Sequence, residues 1–173
     1  NVGQTPVDSG ADWEVITTGF SMKGVYSSGT AYKTGEVVQY GGNTYVNKVS
    51  HSAGAYLPTN TTYYDLLVEG ILATAEVKNG NGRYYSKDLW NREIDKYMEL
   101  VKDNRACGEL DHPESQVVNL KNVSHNIKDI NWDGKNIMGT IEILPTPSGN
   151  ILKALIDSGI KVGVSSRGMG SLE

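Results

Sequence analysis

Residues 123–143 read VSHNIKDINWDGKNIMGTIEI, and this stretch decides the fold class. Two runs of β-forming residues, at about 123–131 and 136–144, flank Asp133-Gly134. Asp-Gly between two such runs is a strong hairpin signal, because glycine reaches the positive φ of turns that match strand twist. The stretch therefore predicts two antiparallel strands.

Outward from the hairpin the texture alternates between strand and helix. Downstream, Pro147-Ser148 opens a helix with Ile151, Leu152, Leu155 and Ile156 as its apolar stripe, and Gly159 is placed to end it. A short strand over Ile160–Val164 then leads into Ser165-Ser166-Arg167-Gly168. Upstream, Ser86 is an N-cap for a helix over 87–103, where Leu89, Trp90, Ile94, Tyr97, Met98 and Val101 share one face. Before it, Ile71–Val77 reads as a strand and Asn79-Gly80-Asn81-Gly82 as a tight turn. Residues 71–173 are thus expected to be mixed α and β.

The first 70 residues differ. Seven of the ten tyrosines lie there, among dense glycine, serine and threonine. Glu36–Tyr40 and Asn43–Asn47 flank Gly41-Gly42 and predict another hairpin. Pro58-Thr59-Asn60 then supplies a loop before Tyr63–Leu67. Asp12–Ile16 followed by Gly19 echoes Tyr64–Val68 followed by Gly70, so residues 20–70 are expected to be one complete copy of a small β module. The chain divides, on this reading, into 1–70 and 71–173, α+β overall.

Composition excludes several classes of function. A net charge of −4 supplies no basic stripe for nucleic acid. No apolar run is long enough to span a bilayer, and the polar stretch Asn1–Gly10 does not resemble a signal peptide. Cys107 is the sole cysteine, so no internal disulfide is expected and the cytosol is the default compartment.

Two segments carry residue types suited to hydrolysis: Gly108–Glu114, with Asp111 and His112, and Gly163–Gly170, with Ser165 and Ser166. A serine nucleophile needs a base, and a neutral imidazole suits that task near neutral pH. Glycines beside the serine let backbone N–H groups approach a substrate carbonyl. Rival readings are weaker. Glu109, Asp111, His112 and Glu114 are competent zinc ligands, but a second histidine at helical spacing is missing, so no metal is expected. Cys107 beside Ala106 reads as core packing rather than as a thiol nucleophile. His125 lies in an alternating strand and reads as structural, and Asn79–Arg83 has no P-loop lysine.

Gly-Glu-Leu-Asp-His-Pro at 108–113 is followed, 54 positions after His112, by Ser166 within Val-Ser-Ser-Arg-Gly at 164–168. Together with Asn79–Tyr85, Asn122–His125 and Ile143–Pro147, these motifs resemble the prohead core proteases of contractile-tailed phages over residues 71–173. The family is similar to the herpesvirus assemblins. The resemblance implies a β-barrel serine protease with flanking helices that cleaves scaffold and capsid proteins, often after glutamate. Its place would be inside the procapsid assembling in the host cytoplasm, with no cofactor and with self-association left open. His112 would be the general base, and Arg167 with Gly168 would stabilise the oxyanion. Ser166 fits the related Ser-x-Gly pattern, with Ser165 as the alternative; strand alternation would let only one of them face His112. The third catalytic residue comes after the serine in such proteases, so the barrel is expected to be truncated at Glu173.

The pattern Gly24-Val25-Tyr26, Tyr32, Gly35–Tyr45 and Tyr64 is similar to small β modules of phage virion and tail-fibre proteins, and more distantly to chitin-binding modules. The tyrosines are expected to build a core rather than to stack on sugars. Leu67-Val68-Glu69-Gly70 fits a Leu-x-Glu-small cleavage pattern, so Glu69–Gly70 is a candidate self-processing bond. The plainer reading is a strand running through Leu66–Ala75. The alternative function is a virion structural or carbohydrate-binding protein with an inert protease-like part.

Overall fold

A computed structural model describes residues 20–111 and 117–166. Seven strands and two helices follow one another as β1 (Ser21–Val25), β2 (Glu36–Tyr40), β3 (Asn43–Asn47), β4 (Tyr64–Thr74), α1 (Lys87–Lys102), β5 (Cys107–Glu109), β6 (Val123–Asp133), β7 (Asn136–Ile143) and α2 (Pro147–Asp157). All the strands join one sheet in the order β1-β2-β3-β4-β7-β6-β5. Among the described residues only β1 and β2 pair in parallel; every other pair of strands is antiparallel.

Both expected hairpins form. Gly41 and Gly42 take φ of 59° and 83° between β2 and β3, and Gly134 takes 61° between β6 and β7. These are the left-handed values that two-residue hairpin loops demand. Asn79–Arg83 also turns as expected: the Asn79 Oδ1 accepts from the N–H groups of Asn81 and Arg83, both at 3.0 Å.

The helices begin and end as their caps dictate. Ser86 Oγ accepts from Leu89 N at 3.2 Å to start α1, and the expected apolar face is its less exposed side, with Val101 buried. Asn104 stands just past the end at φ 57°, with Arg105 N donating to Leu100 O and Asn104 N to Val101 O. That pair of bonds is a Schellman cap. Gly159 ends α2 identically, at φ 74°, with Ile160 N bonded to Leu155 O and Gly159 N to Ile156 O. Along α2, Leu152 is buried as expected, whereas Ile151, expected in the same stripe, is 53% exposed.

The core lies mainly on one face of the sheet. Val38, Tyr45, Leu66, Ile141 and Ile143 pack there with Tyr32, Tyr64 and Leu152 of α2. Val37, Val46 and Leu67 form a smaller cluster; their alternation with Val38, Tyr45 and Leu66 puts them on the opposite face. Six of the seven tyrosines of residues 20–70 belong to the core, as expected: Tyr32, Tyr45 and Tyr64 are buried, and Tyr26, Tyr40 and Tyr63 pack against them. His51 sits among them unforeseen. Its Nε2 is 2.7 Å from Tyr64 Oη, and its ring centroid is 5.5–5.9 Å from those of Tyr32, Tyr56, Tyr63 and Tyr64.

Two expectations are corrected. The sheet does not close into a barrel: among the described residues β1 and β5 stand at opposite ends of the strand order. Closure needs the two edges to pair, and β5 is only three residues long. The strand expected over Ile160–Val164 does not form: residues 160–166 are exposed and without regular secondary structure. Tyr63–Leu67 and Ile71–Val77 are joined in one strand, as the reading of a strand through Leu66–Ala75 expects. Gly70 does not take a positive φ, so it pairs with Gly139 within a continuous β4. The repeat seen at Asp12–Gly19 lies outside the described residues.

β4 therefore joins β3 on one side, through Tyr64–Leu67, to β7 on the other, through Leu66–Thr74. A row of charges crosses this seam. Lys48 Nζ lies 2.8 Å from the buried Asp65 Oδ1, and Lys128 Nζ lies 3.3 Å from Glu142 Oε2. Burial, reinforced by the neighbouring Glu142 and opposed by Lys48, pushes the Asp65 carboxyl up to about 6. A carboxyl that binds its proton more tightly when folded makes stability fall as pH rises from its unfolded value, near 3.9, to its folded one. Unfolding free energy measured by urea titration should therefore decline between about pH 4 and 6. Asp65→Asn should flatten that decline; an unchanged slope would contradict the assignment.

Candidate active site

The segment carrying the expected base leaves the edge of the sheet under tight local control. β5 pairs with β6 so that Gly108 stands opposite His125. A Cβ on Gly108 would come within 2.1 Å of His125 Nε2, so the imidazole occupies the space a side chain would need. Burial pushes the His125 ring below the usual histidine range and keeps it neutral. Its Nδ1 is 2.9 Å from Oγ of the fully buried Ser124. This is the packing expected of a structural histidine.

Beyond β5 the chain turns sharply. Leu110 N donates to Asn122 O at 2.8 Å, Asn119 N donates to Glu109 Oε1 at 2.9 Å, and Asn122 N donates to Asn119 O at 2.8 Å. Asp111 follows at φ 74°, a left-handed value that aspartate tolerates better than most residues. His112 and Glu114 lie outside the described residues. So do Arg167 and Gly168.

The serine segment is reached through α2. Thr146 caps this helix, its Oγ1 accepting from Gly149 N at 2.9 Å and donating to Val123 O. Ser148 Oγ donates to Lys121 O at 3.3 Å. The first turn of α2 is thus bolted to the start of β6, where the base segment ends. After the Schellman cap the chain runs through 160–166, and both Ser165 and Ser166 are exposed. Because this run is not a strand, the alternation that would turn the two serines to opposite faces is absent. Accessibility to a polypeptide substrate is met by both.

Cys107 is half-buried near Tyr97, whose hydroxyl is pushed up by burial and by the cysteine. That is a packing environment, as the sequence suggests. Among the described residues, Glu109 and Asp111 belong to no cluster of three or more metal-ligating groups. Glu69 and Gly70 stand in β4 opposite Thr140 and Gly139 of β7. No helix among the described residues is long and apolar enough to cross a membrane.

One mixed sheet with two helices thus carries the histidine segment beyond its edge strand β5 and an exposed serine segment beyond α2. Residues 20–173 match the family described as prohead core protein serine protease, and the chain belongs to that family. The match includes β1 to β3 as well as the segment carrying His112 and Ser166. The chain is 37% identical over 110 residues to the prohead core protein protease of Enterobacteria phage T4, covering 62% of this chain and 52% of that protein. It therefore spans about half the length of the curated relative it matches. Its fold is similar to that of the bacteriophage T4 capsid assembly protease, with a TM-score of 0.55 at 24% identity over 75% of this chain and 72% of the other. A virion structural or carbohydrate-binding role is not favoured, since the tyrosines that would have to face a sugar are largely taken up in the core.

Proposed function

We propose that this protein is a serine endopeptidase that cleaves phage scaffold and capsid proteins during procapsid maturation. Family membership across residues 20–173 is the observation that carries the reading. His112 is the general base and Ser166 the nucleophile, with Ser165 as the alternative. The Ser166 Oγ attacks the scissile carbonyl as His112 takes its proton, and His112 then returns the proton to the leaving amine. Arg167 and the N–H of Gly168 stabilise the oxyanion. The work is done inside the procapsid in the host cytoplasm, on chains presented in extended form.

The test is cleavage of peptides bearing Leu-x-Glu followed by a small residue, with products identified by mass spectrometry. Cuts after glutamate support the reading; intact peptides in the presence of full-length protein would refute it. With histidine as base, the rate should rise between about pH 5.5 and 7.5. A flat profile there would remove His112 from that role.

Glu69–Gly70 is proposed as a self-processing bond that divides the chain into residues 1–70 and 71–173. Since β4 runs through it, cutting requires that strand to leave β7 or to be met before the sheet forms. A product beginning at Gly70 should therefore accumulate slowly from folded protein and faster during refolding. No such product in either case would sink the idea.

A further inference from the structure

Two carboxyl groups meet where β4 passes from its pairing with β3 to its pairing with β7. Asp65, Leu67 and Glu69 share the face of β4 turned away from Leu66, Val68 and the main core. Glu142 of β7 stands opposite Leu67, one diagonal step from Asp65 and within hydrogen-bonding reach of its carboxyl. Lys48, just past β3, lies 2.8 Å from Asp65 Oδ1 and donates to Thr61 O at 2.6 Å. Lys128 of β6 lies 3.3 Å from Glu142 Oε2 and donates to Asn104 Oδ1 at 2.7 Å. Lys153 of α2 lines a cleft with Asp65 but is engaged by Asp157 at 2.5 Å. The order along the row is lysine, carboxyl, carboxyl, lysine, and the middle is the driest part. Asp65 and Glu142 side chains are 6% and 13% exposed, against 26% and 22% for Lys48 and Lys128.

Beyond this row β4 is weakly anchored. Tyr64–Leu67 are all buried, whereas no residue of Val68–Thr74 is. A bulge between Ile71 and Ala73 interrupts the pairing with β7 and takes a residue out of the ladder. The Glu69–Gly70 bond lies between the row and the bulge, and Glu69 is exposed.

We propose that Asp65 and Glu142 form a proton-operated latch on β4, closed while a proton joins the two carboxyls and released on its loss, so that Glu69–Gly70 becomes accessible as pH rises. The inference rests on the reading of that bond as a self-processing site. Protonated, Asp65 donates to the Glu142 carboxylate across the strand pair. Ionised, it puts two like charges across that pair, which disfavours pairing, and it holds a charge away from water. Lifting β4 from β7 relieves both. The Asp65 carboxyl titrates at about 6 in the folded protein and at about 3.9 in an unfolded chain. Its folded value is the raised one, so the hold is complete below about pH 4 and is lost as pH rises through about 6.

The test uses full-length protein carrying Ser166→Ala, which on the mechanism above cannot cut itself, and a glutamate-specific endopeptidase. A free peptide spanning Leu66–Leu72 standardises the endopeptidase at each pH. Cutting at Glu69–Gly70, relative to the peptide, should rise about tenfold between pH 5 and 7.5. Adding Asp65→Asn should leave a rise of less than about twofold, and adding Glu142→Gln should leave a clearly smaller rise than the parent shows. A flat ratio in the parent would overturn the inference, whether or not the variants fold. So would a folded Glu142→Gln protein whose rise matches the parent's, because a lone buried acid would then suffice. If the ratios behave as expected but protein with Ser166 intact yields no product beginning at Gly70 at any pH, the self-processing reading falls and the latch stands.

Discussion

Ser166→Ala is expected to reduce peptide cleavage by full-length protein about 10,000-fold or more, the scale on which serine hydrolases lose rate when the nucleophile is removed. On the proposed mechanism the hydroxyl forms a bond in the reaction, so no neighbouring group makes up its loss. His112→Ala should cost about as much, and the double variant little more, because nucleophile and base act as a unit. Ser165→Ala should remain within about threefold of wild type, since the residue is exposed and the proposed mechanism gives its hydroxyl no part. Neither serine is in the packed core, so the variants should melt like wild type. If Ser165→Ala is the inactive one, the roles of the two serines are exchanged. If both remain active, the nucleophile lies elsewhere.

The second large effect is on folding. Gly149 sits in the first turn of α2 against the ends of β6 and β7. A Cβ there would meet Leu144 O at 1.9 Å, Ser124 O at 2.8 Å and Leu144 C at 3.0 Å. All three are backbone atoms, so no side chain can swing aside. Either α2 lifts off the sheet or the strand ends shift, and both disturb the core around Leu152, Ile141 and Ile143. Gly149→Ala should cost at least ~3 kcal/mol, the upper end of what overpacking usually exacts. That is a large part of the 5–15 kcal/mol that about holds a typical domain folded. Thr146→Ala, which removes the cap bond to Gly149 but adds no bulk, should cost only ~1 kcal/mol. Urea denaturation of the two variants checks the ordering. A Gly149→Ala protein as stable as Thr146→Ala would show that the helix does not bear on the sheet as described.

What could be read from the sequence was mostly what local chemistry decides. Gly41-Gly42 and Asp133-Gly134 announced their hairpins because only glycine takes those backbone angles cheaply. Ser86 and Gly159 announced helix ends for the same kind of reason. The misses were non-local. The neighbour of β4 at Gly70 is one of them, because its partner Gly139 in β7 lies far along the chain. β5 is three residues long, too short for any periodicity to show. The parallel pairing of β1 with β2 depends on where a loop returns the chain. His51 carries no sequence signal separating it from any loop histidine; its place is set by four tyrosines closing around it.

The candidate site divides in the same way. His112 and Ser166 enter through the motifs at 108–113 and 164–168, whose order resembles the prohead core proteases, and their roles rest on the proposal above. The bond from Asn119 N to the Glu109 carboxylate is not legible, because the two residues become partners only once β5 is laid against β6. Nor is the fixing of α2 to the β6 start through Thr146 and Gly149, which sets where the serine segment begins its path.

Covalent labelling tests the central claim most directly. Full-length protein is treated with a serine-reactive phosphonate, digested, and the modified residue located by mass spectrometry. The account predicts a single adduct on Ser166, formed by wild type and absent from His112→Ala. No adduct in wild type, or one on a serine outside residues 165–166, would contradict it.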